Sequence, residues 1–306
     1  MSVEFSATDL RTRAAGPADA EAIYRLIAAC ELDLDGSVEV DLDDVVGDLA
    51  RPGRGVDWDT VLVHDPAGEL VGWAQVWQVS RGEADVRPDR RGEGLGSWLL
   101  DWTERRAREL GATEVSQTVT DHNTAAAALF QARGYAPRDT AWILEIPLPD
   151  PPVVPEPPAG ITIRTYRPGH DDRAAHRLID DAFCEWPGRE PFPFDSWVAS
   201  TIGRARFAPQ LSPLAFDGDR LVGALLALDY PDSHEGFVHQ VAVHRDYRHR
   251  GIARALLLRT FAGFHHTGRR ACTLSTNSYT GALSLYERVG MRIRQSYTRY
   301  ARTLPA

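Results

Sequence analysis

The sequence predicts a mixed α/β protein built from two tandem copies of one domain. Its 306 residues, of which 43% are hydrophobic, are about twice the usual length of a domain and can form two independent cores. Short apolar runs with strand character alternate with amphipathic helical segments. Four pairs of similar segments recur in the same order in both halves: RLI at 25–27 and 177–179, LVG at 70–72 and 221–223, RRGEGLG at 90–96 and HRGIARA at 249–255, and ALFQARGY at 128–135 and SLYERVGM at 284–291.

A proline-rich stretch divides the chain nearly in half. The sequence PLPDPPVVPEPPAG, at residues 147–160, repeats proline, which lacks a backbone donor and favours extended polyproline geometry. We therefore expect an N-terminal domain at 1–147, a stiff linker at 148–159 and a C-terminal domain at 160–306.

The element order is clearest in the second copy. ITIRTY predicts a first strand, and the spacing of Ala175, Leu178, Ile179 and Ala182 predicts an amphipathic helix over 171–183. The remaining elements follow in order: a helical region near 194–202, a hairpin around Gly218 in LAFDGDRLVGALLALDY, the strand GFVHQVAV, a helix over 253–264, the strand ACTLST, a helix over 280–289 and a final pair of strands.

Composition excludes several classes of function. All 34 basic residues are arginine, and the absence of lysine excludes lysine Schiff-base chemistry and a Walker-type phosphate loop. The formal net charge of -9 argues against a nucleic-acid-binding protein and favours a cationic or neutral substrate. Cys30, Cys184 and Cys272 lie far apart in sequence, and the adjacent His265 and His266 point to different faces of a helix. We therefore expect neither a disulfide framework nor a metal site.

No segment has the pattern of a membrane span or a signal peptide. No run approaches the roughly 18 consecutive apolar residues that a membrane span needs. The N-terminal sequence MSVEFSATDLRTRAAG lacks the apolar core of a signal peptide. We expect a cytoplasmic protein without membrane contact. Because fused duplicates can reproduce a dimer within one chain, both a monomer and a homodimer stay open.

Each copy has a glycine-containing loop between a strand and a helix. Glycine lets the backbone approach an anion closely, and the free N–H groups of the first helical turn attract it together with the helix dipole. These features predict a phosphate or pyrophosphate site in each copy, although a turn with solvated arginines is the alternative for either loop alone. The loop residues are Arg91, Gly92, Glu93, Gly94, Leu95 and Gly96 in the first copy and Arg248, His249, Arg250, Gly251, Ile252 and Ala253 in the second.

Both loops fit the pattern Arg/Gln-x-x-Gly-x-Gly/Ala, and in this the copies resemble the GNAT superfamily of N-acyltransferases. A later signature of the family is an Asn near the end of a strand, followed by a helix with Leu-Tyr-x-x-x-Gly. The resemblance covers nearly the whole chain outside the proline-rich stretch. The matching residues are Asn123, Leu129, Phe130 and Gly134 in the first copy and Asn277, Leu285, Tyr286 and Gly290 in the second.

The resemblance implies two GNAT-like domains, each with a splayed mixed β-sheet flanked by helices. It also implies acetyl-CoA or another acyl-CoA as cosubstrate, and no metal. In this family the strand before the loop opens away from its neighbour, and its backbone binds the pantetheine arm. In the first copy this strand is shorter, and Asp85 interrupts it. By position the pantetheine contacts fall on Val241, Ala242 and Val243 in the second copy and on Ala84 and Val86 in the first.

The implied chemistry needs a proton acceptor for the attacking amine and a proton donor for the leaving thiolate. The resemblance makes Tyr286 the general acid, with packing of the helix against the sheet as its alternative role. The first copy has Phe130 at this position, and a phenyl ring cannot donate a proton, which predicts a degenerate first domain and catalysis in the second. Alternation places Glu235 and His239 on one face of the strand before the loop, as candidate bases or as ordinary surface groups.

The segment CEWPGREPFPFDSW lies where members of the superfamily bind the acceptor. Trp186 and Phe192 are candidates for an apolar wall, and Asp181 and Glu185 for binding a cation, although core packing accounts equally well for the aromatic residues. The sequence therefore predicts transfer of an acetyl group from acetyl-CoA to a primary amine of a small molecule. A non-catalytic acyl-CoA-binding sensor or scaffold and a protein or peptide N-acetyltransferase stay open as alternatives.

Overall fold

The computed structural model describes residues 10–49, 59–186 and 189–305. The chain forms two compact units, and neither coincides with one sequence copy. The first unit contains the chain up to Asp139 and the C-terminal segment from Tyr297, whereas the second contains Thr140–Ser296. Most of the N-terminal sequence that we considered for a signal peptide lies outside the described residues. Among the helices of the described residues, none is long and apolar enough to cross a membrane.

The first unit contains one mixed sheet with helices on both faces. Helix α1 places buried Ile23, Leu26 and Cys30 on one face and ends at Gly36, whose φ of 72° is the left-handed conformation that closes many helices. Its strands are β1 (Arg11–Arg13), β2 (Thr60–His64), β3 (Leu70–Trp77), β4 (Arg81–Val86) and β5 (Glu114–Thr120), and its helices are α1 (Ala20–Asp35), α2 (Leu42–Leu49), α3 (Leu95–Glu109) and α4 (Thr124–Ala132).

The second unit repeats this arrangement. Helix α5 presents buried Ala175, Leu178 and Ile179 to the sheet, as the amphipathic pattern predicts. The elements of this unit are β7 (Ile161–Thr165), α5 (Asp172–Phe183), α6 (Phe194–Ser200), β8 (Pro213–Asp217), β9 (Arg220–Tyr230), β10 (Glu235–Val243), α7 (Ile252–His266), β11 (Ala271–Asn277) and α8 (Leu283–Arg288).

The strand order is the same in both units. In the first unit β1, β2, β3 and β4 pair antiparallel in sequence order, and β4 then pairs parallel with β5. In the second unit β7, β8, β9 and β10 pair antiparallel in sequence order, and β10 then pairs parallel with β11. Each unit thus has a mixed sheet with one parallel pair. This pair consists of the strand that precedes the glycine loop and the next strand along the chain.

The last strand of each sequence copy contributes to the other unit. In β6 (Ala136–Pro147), residues 141–147 pair with β11 inside the second unit. In β12 (Arg292–Thr303), residues 297–303 pair with β5 inside the first unit. The compact units therefore differ from the sequence copies by the exchange of one strand end. The predicted boundary at the proline-rich stretch separates the two sequence copies and not the two compact units, and it stays a prediction.

Among the described residues, the second unit has two apolar core clusters and the first unit has three. In the second unit, one core contains α7 and the ring of Tyr286, and the other contains α5, α6 and the indole of Trp197. In the first unit, α1 and α2 pack with Trp73 on one face, whereas α3 packs against the other. The helix predicted over 280–289 begins later, at Leu283, because Gly281 adopts a φ of 65° in the preceding turn.

A buried carboxylate ties the exchanged end of β12 to the first unit. Glu104 of α3 has 5% of its side chain exposed and accepts hydrogen bonds from Arg302 at 3.1 and 3.3 Å. Tyr135 and Arg108 donate to the same carboxylate at 3.3 and 3.4 Å. Because a buried carboxylate without a cation is costly, this cluster anchors the C-terminal segment in the first unit.

Replacing Arg302 tests this anchor. We expect Arg302→Met to lower the free energy of unfolding of the first unit by about 3 kcal/mol, because it leaves the Glu104 charge buried and less well compensated. Urea denaturation with hydrogen exchange at the amides of α3 measures the loss. Arg294→Met, in the same strand but paired with the partly exposed Glu145 and Glu235, is the control and should cost less than about 1 kcal/mol. Equal losses in the two variants would contradict the anchor.

Candidate active site

The strand before the glycine loop separates from its parallel neighbour in each unit. In the second unit β10 pairs with β11 only from Glu235 to Val238, whereas its pairing with β9 continues to Val243. In the first unit β4 pairs with β5 only at Arg81 and Gly82. The rest of each strand has no partner on that side in the register, so its backbone groups face an opening. This is the splayed geometry that the resemblance to the GNAT superfamily implies.

A β-bulge at His239 marks the start of the opening in the second unit. The register of β10 with β9 shifts between Val238 and Gln240, which leaves His239 as the extra residue. Beyond the bulge, Val241 and Val243 pack towards the core that contains α7. Ala242 packs in the opposite core, with α5 and α6. Simple alternation therefore describes the strand only up to the bulge.

The loop of the second unit has the geometry of an anion site. His249 and Gly251 both have positive φ, 61° and 83°, on alternate residues before α7. This arrangement turns successive N–H groups towards one point, and the first helical turn adds the N–H groups of Ile252 and Ala253. Gly251 is the N-cap residue of α7, and it has no side chain that could accept from the N–H groups of the first turn. Arg250 is exposed and donates to the Asp246 carbonyl oxygen.

The loop of the first unit has the same shape with less strain. Gly92 and Gly94 adopt φ values of 80° and 91°, at the positions of His249 and Gly251. Glu93 pairs with Arg90 at 3.0 Å and therefore points its charge along the loop surface. Two other residues of this loop, Leu95 and Gly96, form the first turn of α3. The side chain of Leu95 is buried in the core below the loop.

The first arginine of each loop is held by a carboxylate at the end of the unit's first helix. Arg248 donates to both oxygens of Glu185 at 2.7 and 2.9 Å, and its Nε donates to the Val243 carbonyl oxygen. Arg91 donates to Asp33 at 2.6 Å. Arg248 lowers the pKa of Glu185 through this hydrogen bond. The sequence assigned Glu185 to the acceptor, whereas the structure places it on the arginine that we predicted to bind the cosubstrate.

Tyr286 has the properties of a proton donor that keeps its proton. It lies on α8 with 6% of its surface exposed, and burial raises its pKa to about 12. Its hydroxyl has no hydrogen-bond partner among the described residues. The corresponding Phe130 of the first unit is also buried and packs against the rings of Tyr135 and Tyr300, each at a centroid distance of 5.6 Å.

The two candidate bases occupy different environments. Glu235 lies where β10 and β11 are still paired, and Arg294 donates to its carboxylate at 3.0 Å. His239 lies at the bulge, where the opening begins. Burial and the positive charge of Arg204 lower the pKa of His239 to about 4, so the imidazole is neutral at physiological pH. The geometry favours His239, and the role of each residue stays a prediction.

The two signature asparagines make different contacts. The Asn123 side chain accepts a hydrogen bond from the Ala126 N–H at 3.0 Å, which caps α4. In the second unit Thr280 accepts from the Ala282 N–H instead, and Oδ1 of Asn277 is buried without a partner among the described residues. Asn277 therefore keeps an acceptor that a ligand can use, whereas Asn123 uses its side chain within the fold.

The described residues of the segment 184–197 pack against α5 and its core. Phe192 packs with the core of α5 and α6, and its N–H donates to Asp180 at 2.9 Å. Trp186 stacks on Phe183 at 4.3 Å and contacts the ring of Tyr279 at 5.9 Å. Asp181 is exposed on α5, and residues 187 and 188 lie outside the described residues. The neighbouring Asp180, which sequence reasoning missed, is the carboxylate that holds the segment in place.

The first unit contains a cavity of about 970 Å³, which we call the acidic cavity. It reaches from Arg91, Gly92 and Gly94 of the loop to α1, α2 and the opened strand β4, where it includes Ala84 and Val86. The sequence did not predict it, although alternating Glu83 and Asp85 in the strand before the loop were a signal. The carboxylates that line it are Glu31, Asp35, Glu39, Asp44, Asp48, Glu83 and Asp85.

Comparisons with known proteins agree with this geometry. The sequence model of the acetyltransferase (GNAT) family matches residues 21–135 and 173–291. The chain is 33% identical over 247 residues to a mycothiol acetyltransferase from Thermomonospora curvata, covering 78% of this chain and 74% of the relative. It is 28% identical over 293 residues to a mycothiol acetyltransferase from Actinosynnema mirum, covering 93% and 96%.

Solved structures give the same result. A GCN5-related N-acetyltransferase from Sphaerobacter thermophilus has a TM-score of 0.78 and 34% identity, covering 97% of this chain and 96% of that one. A tandem GNAT protein from the clavulanic acid biosynthesis pathway shares the fold, with a TM-score of 0.75 at 18% identity. With one family match in each half, and a splayed strand and a glycine loop in each unit, this protein belongs to the acetyltransferase (GNAT) family as a tandem-domain member.

Proposed function

We propose that this acetyltransferase transfers an acetyl group from acetyl-CoA to a primary amine of a small molecule, in the second unit. The observation that carries the proposal is the opening between β10 and β11. The opening leads to a loop whose N–H groups converge, and Tyr286 lies on α8, the helix that follows β11. An extended thioester fits such an opening, with its diphosphate at the loop and its pantetheine arm along the edge of β10 that β11 leaves unpaired beyond Val238.

Tyr286 acts as the proton donor in this proposal. As the amine nitrogen bonds to the carbonyl carbon, the carbon–sulfur bond breaks and the sulfur leaves as a thiolate, which takes the phenolic proton. A pKa of about 12 keeps Tyr286 protonated over the physiological range, and its hydroxyl has no competing partner among the described residues. The attacking amine gives up its proton to His239, directly or through water.

The acceptor is a small molecule in this proposal. The relatives with 33% and 28% identity are named as acetyltransferases of mycothiol, which supports a small-molecule amine. The net charge of -9 and the bulky aromatic segment around Trp186 agree with a cationic acceptor that has an apolar part. Mycothiol lacking its acetyl group is therefore the first acceptor to assay, followed by other small primary amines.

Calorimetric titration of acetyl-CoA tests the two loops separately. We expect two sites, and Arg248→Gln and Arg91→Gln should each weaken one of them about tenfold, because each removes a charge-assisted contact to the diphosphate. Arg177→Gln, the same change on the exposed face of α5, is the control. If only Arg248→Gln has an effect, the first unit does not bind the cosubstrate. If the wild type binds nothing, the proposal fails.

Glu185→Gln separates the two roles of Glu185. If its carboxylate serves to hold Arg248, the neutral amide frees the arginine, and acetyl-CoA binds several-fold more tightly while the KM of the amine stays unchanged. If Glu185 binds the cationic acceptor, the KM of the amine rises and the affinity for acetyl-CoA stays close to that of the wild type. The structure favours the first result, and steady-state kinetics with calorimetry measures both constants.

Tyr286→Phe tests the general acid. The substitution removes only a hydroxyl that makes no hydrogen bond to the described residues, so the fold and the affinity for acetyl-CoA should be unchanged. We expect kcat to fall about 100-fold, because the thiolate loses its proton donor. Tyr300→Phe, at a buried tyrosine of the first unit, is the matched control. Unchanged turnover with intact acetyl-CoA binding would refute the role of Tyr286.

The pH dependence of turnover tests His239. Its lowered pKa means that the imidazole is charged only below about pH 4, so it contributes no ionisation to kcat/KM between about pH 5 and 8. We expect His239→Asn to lower kcat/KM by about tenfold or more while the profile keeps its shape in this range. An ionisation near pH 6.5 that is present in the wild type and absent from the variant would show that His239 titrates normally.

A further inference from the structure

The bulge in β10 turns two consecutive side chains towards α6. Val238 and Val241 both pack in the core that contains α7, although strict alternation places residues three apart on opposite faces of a strand. The extra residue of the bulge, His239, accounts for this departure. It leaves both His239 and Gln240 on the other face, where α6 lies and where Ala242 packs with it.

Each of these two side chains contacts α6. Oε1 of Gln240 accepts a hydrogen bond from Nε1 of Trp197 at 3.0 Å. The imidazole of His239 donates to the backbone carbonyl oxygen of Ser200, the last residue of α6. A neutral imidazole has one N–H group and one lone pair, so this contact leaves the lone pair on the second ring nitrogen. That nitrogen can accept a proton.

The indole of Trp197 is fixed within the core. Its surface is 2% exposed, and the rings of His176 and Phe194 lie at centroid distances of 5.3 and 6.1 Å. His176 is held in turn, because its Nε2 contacts the carbonyl oxygen of Phe192 at 2.7 Å. A buried indole N–H needs an acceptor, and Gln240 supplies it. The hydrogen bond therefore connects β10 to a ring that packing holds in one orientation.

The described part of the first unit lacks this arrangement. The register of β3 with β4 is unbroken from Gly72 to Trp77, so β4 has no bulge. Counted back from the loop arginine, the residue at the position of Gln240 is Glu83, which accepts from Gln75 and Trp77 of β3. Helix α2 contains no aromatic residue. The bulge, its histidine and the indole–amide pair thus occur together in the unit for which we propose catalysis.

We infer that Trp197 and Gln240 are positioning residues for His239, which hold its imidazole at the bulge with one nitrogen ready to accept the proton of the amine. The inference rests on the proposed function, in which His239 is the proton acceptor. As the amine nitrogen bonds to the carbonyl carbon and the carbon–sulfur bond breaks, the second imidazole nitrogen takes the amine proton and the ring becomes an imidazolium. Neither positioning residue takes part in the proton transfer.

The pair also keeps the imidazole away from water. Burial lowers the pKa of His239 to about 4, the charge of Arg204 after α6 acts in the same direction, and the Ser200 carbonyl opposes them. The nearby ring of Phe237, at a centroid distance of 6.3 Å, carries no charge. Without the bond from Trp197 to Gln240, water reaches the bulge and burial disfavours the charged ring less. The pKa of His239 should then rise towards the ordinary value of about 6.5.

Gln240→Met in the full chain tests the inference, because it removes the acceptor and keeps the length of the side chain. With acetyl-CoA and mycothiol lacking its acetyl group, we expect kcat/KM at about pH 7.5 to fall about tenfold, while the affinity for acetyl-CoA stays unchanged. A new ionisation should appear between about pH 5 and 6.5, with activity lost as the pH falls through it. Trp77→Phe, which removes an indole donor in the first unit, is the matched control.

Proton NMR of the imidazole gives a readout that needs no acceptor. The resonance of His239 is the one that is absent from His239→Asn. In Gln240→Met and in Trp197→Phe its titration midpoint should rise by about one pH unit or more above that of the wild type. The variant with both substitutions leaves neither buried partner unpaired, so it should recover stability and still show the raised midpoint. This combination separates positioning from a loss of folding.

The outcomes separate the inference from the proposed function. If Gln240→Met causes no further loss of kcat/KM in the His239→Asn background, the pair acts through His239. Losses that add in the two backgrounds overturn the inference, as does a wild-type titration of His239 in folded Gln240→Met. Unchanged turnover of His239→Asn overturns the proposed base itself, whatever the variants at positions 197 and 240 show. Thermal unfolding of each variant shows which of them are folded.

Discussion

In each unit, the strand that precedes the glycine loop loses one of its two strand partners partway along its length. The opening in the sheet results from this loss. This strand pairs with its parallel neighbour only near its beginning. The pairing ends at Val238 in the second unit and at Gly82 in the first. Beyond these points the strand keeps its antiparallel partner, so it stays in the sheet while its other edge opens. An unpaired strand edge inside a fold is a set of hydrogen-bond groups that need a partner, and an extended ligand can supply one. The glycine loop follows directly, so the opening leads to an anion site.

The two copies have kept different parts of the same site. The second unit has the buried Tyr286, whose hydroxyl has no partner among the described residues, but a neutral glutamine and alanine at the positions of the strand carboxylates. The first unit has Phe130 in place of that tyrosine, but Glu83 and Asp85 face a large cavity. Because it has Phe130 at this position, the first unit lacks the proton donor that we predicted for the second.

Sequence reasoning predicted those features that depend on local pattern. The loops, the amphipathic helix at 171–183 and the tandem organisation follow from glycine spacing, periodicity and repetition, and the splayed strands follow from the resemblance to the GNAT superfamily. The structure contains all of them. Features set by distant contacts were not predictable in this way. The bulge at His239, the pairing of Arg248 with Glu185 and the exchange of strand ends each depend on residues far apart in sequence. Asp85 was treated as an interruption because an alternation pattern does not show what a residue faces.

The arginine–carboxylate pairs connect the glycine loop of each unit to the end of the first helix of that unit. Arg248 is bound by Glu185, which lies directly after α5 and next to Trp186, and Arg91 is bound by Asp33 near the end of α1. A diphosphate at either loop must compete with this carboxylate for the arginine. In the proposed reaction, the arginine exchanges the carboxylate for the diphosphate when the cosubstrate binds. The carboxylate then sets the affinity for the cosubstrate and not the KM of the amine, as the two contacts of Glu185 with Arg248 favour.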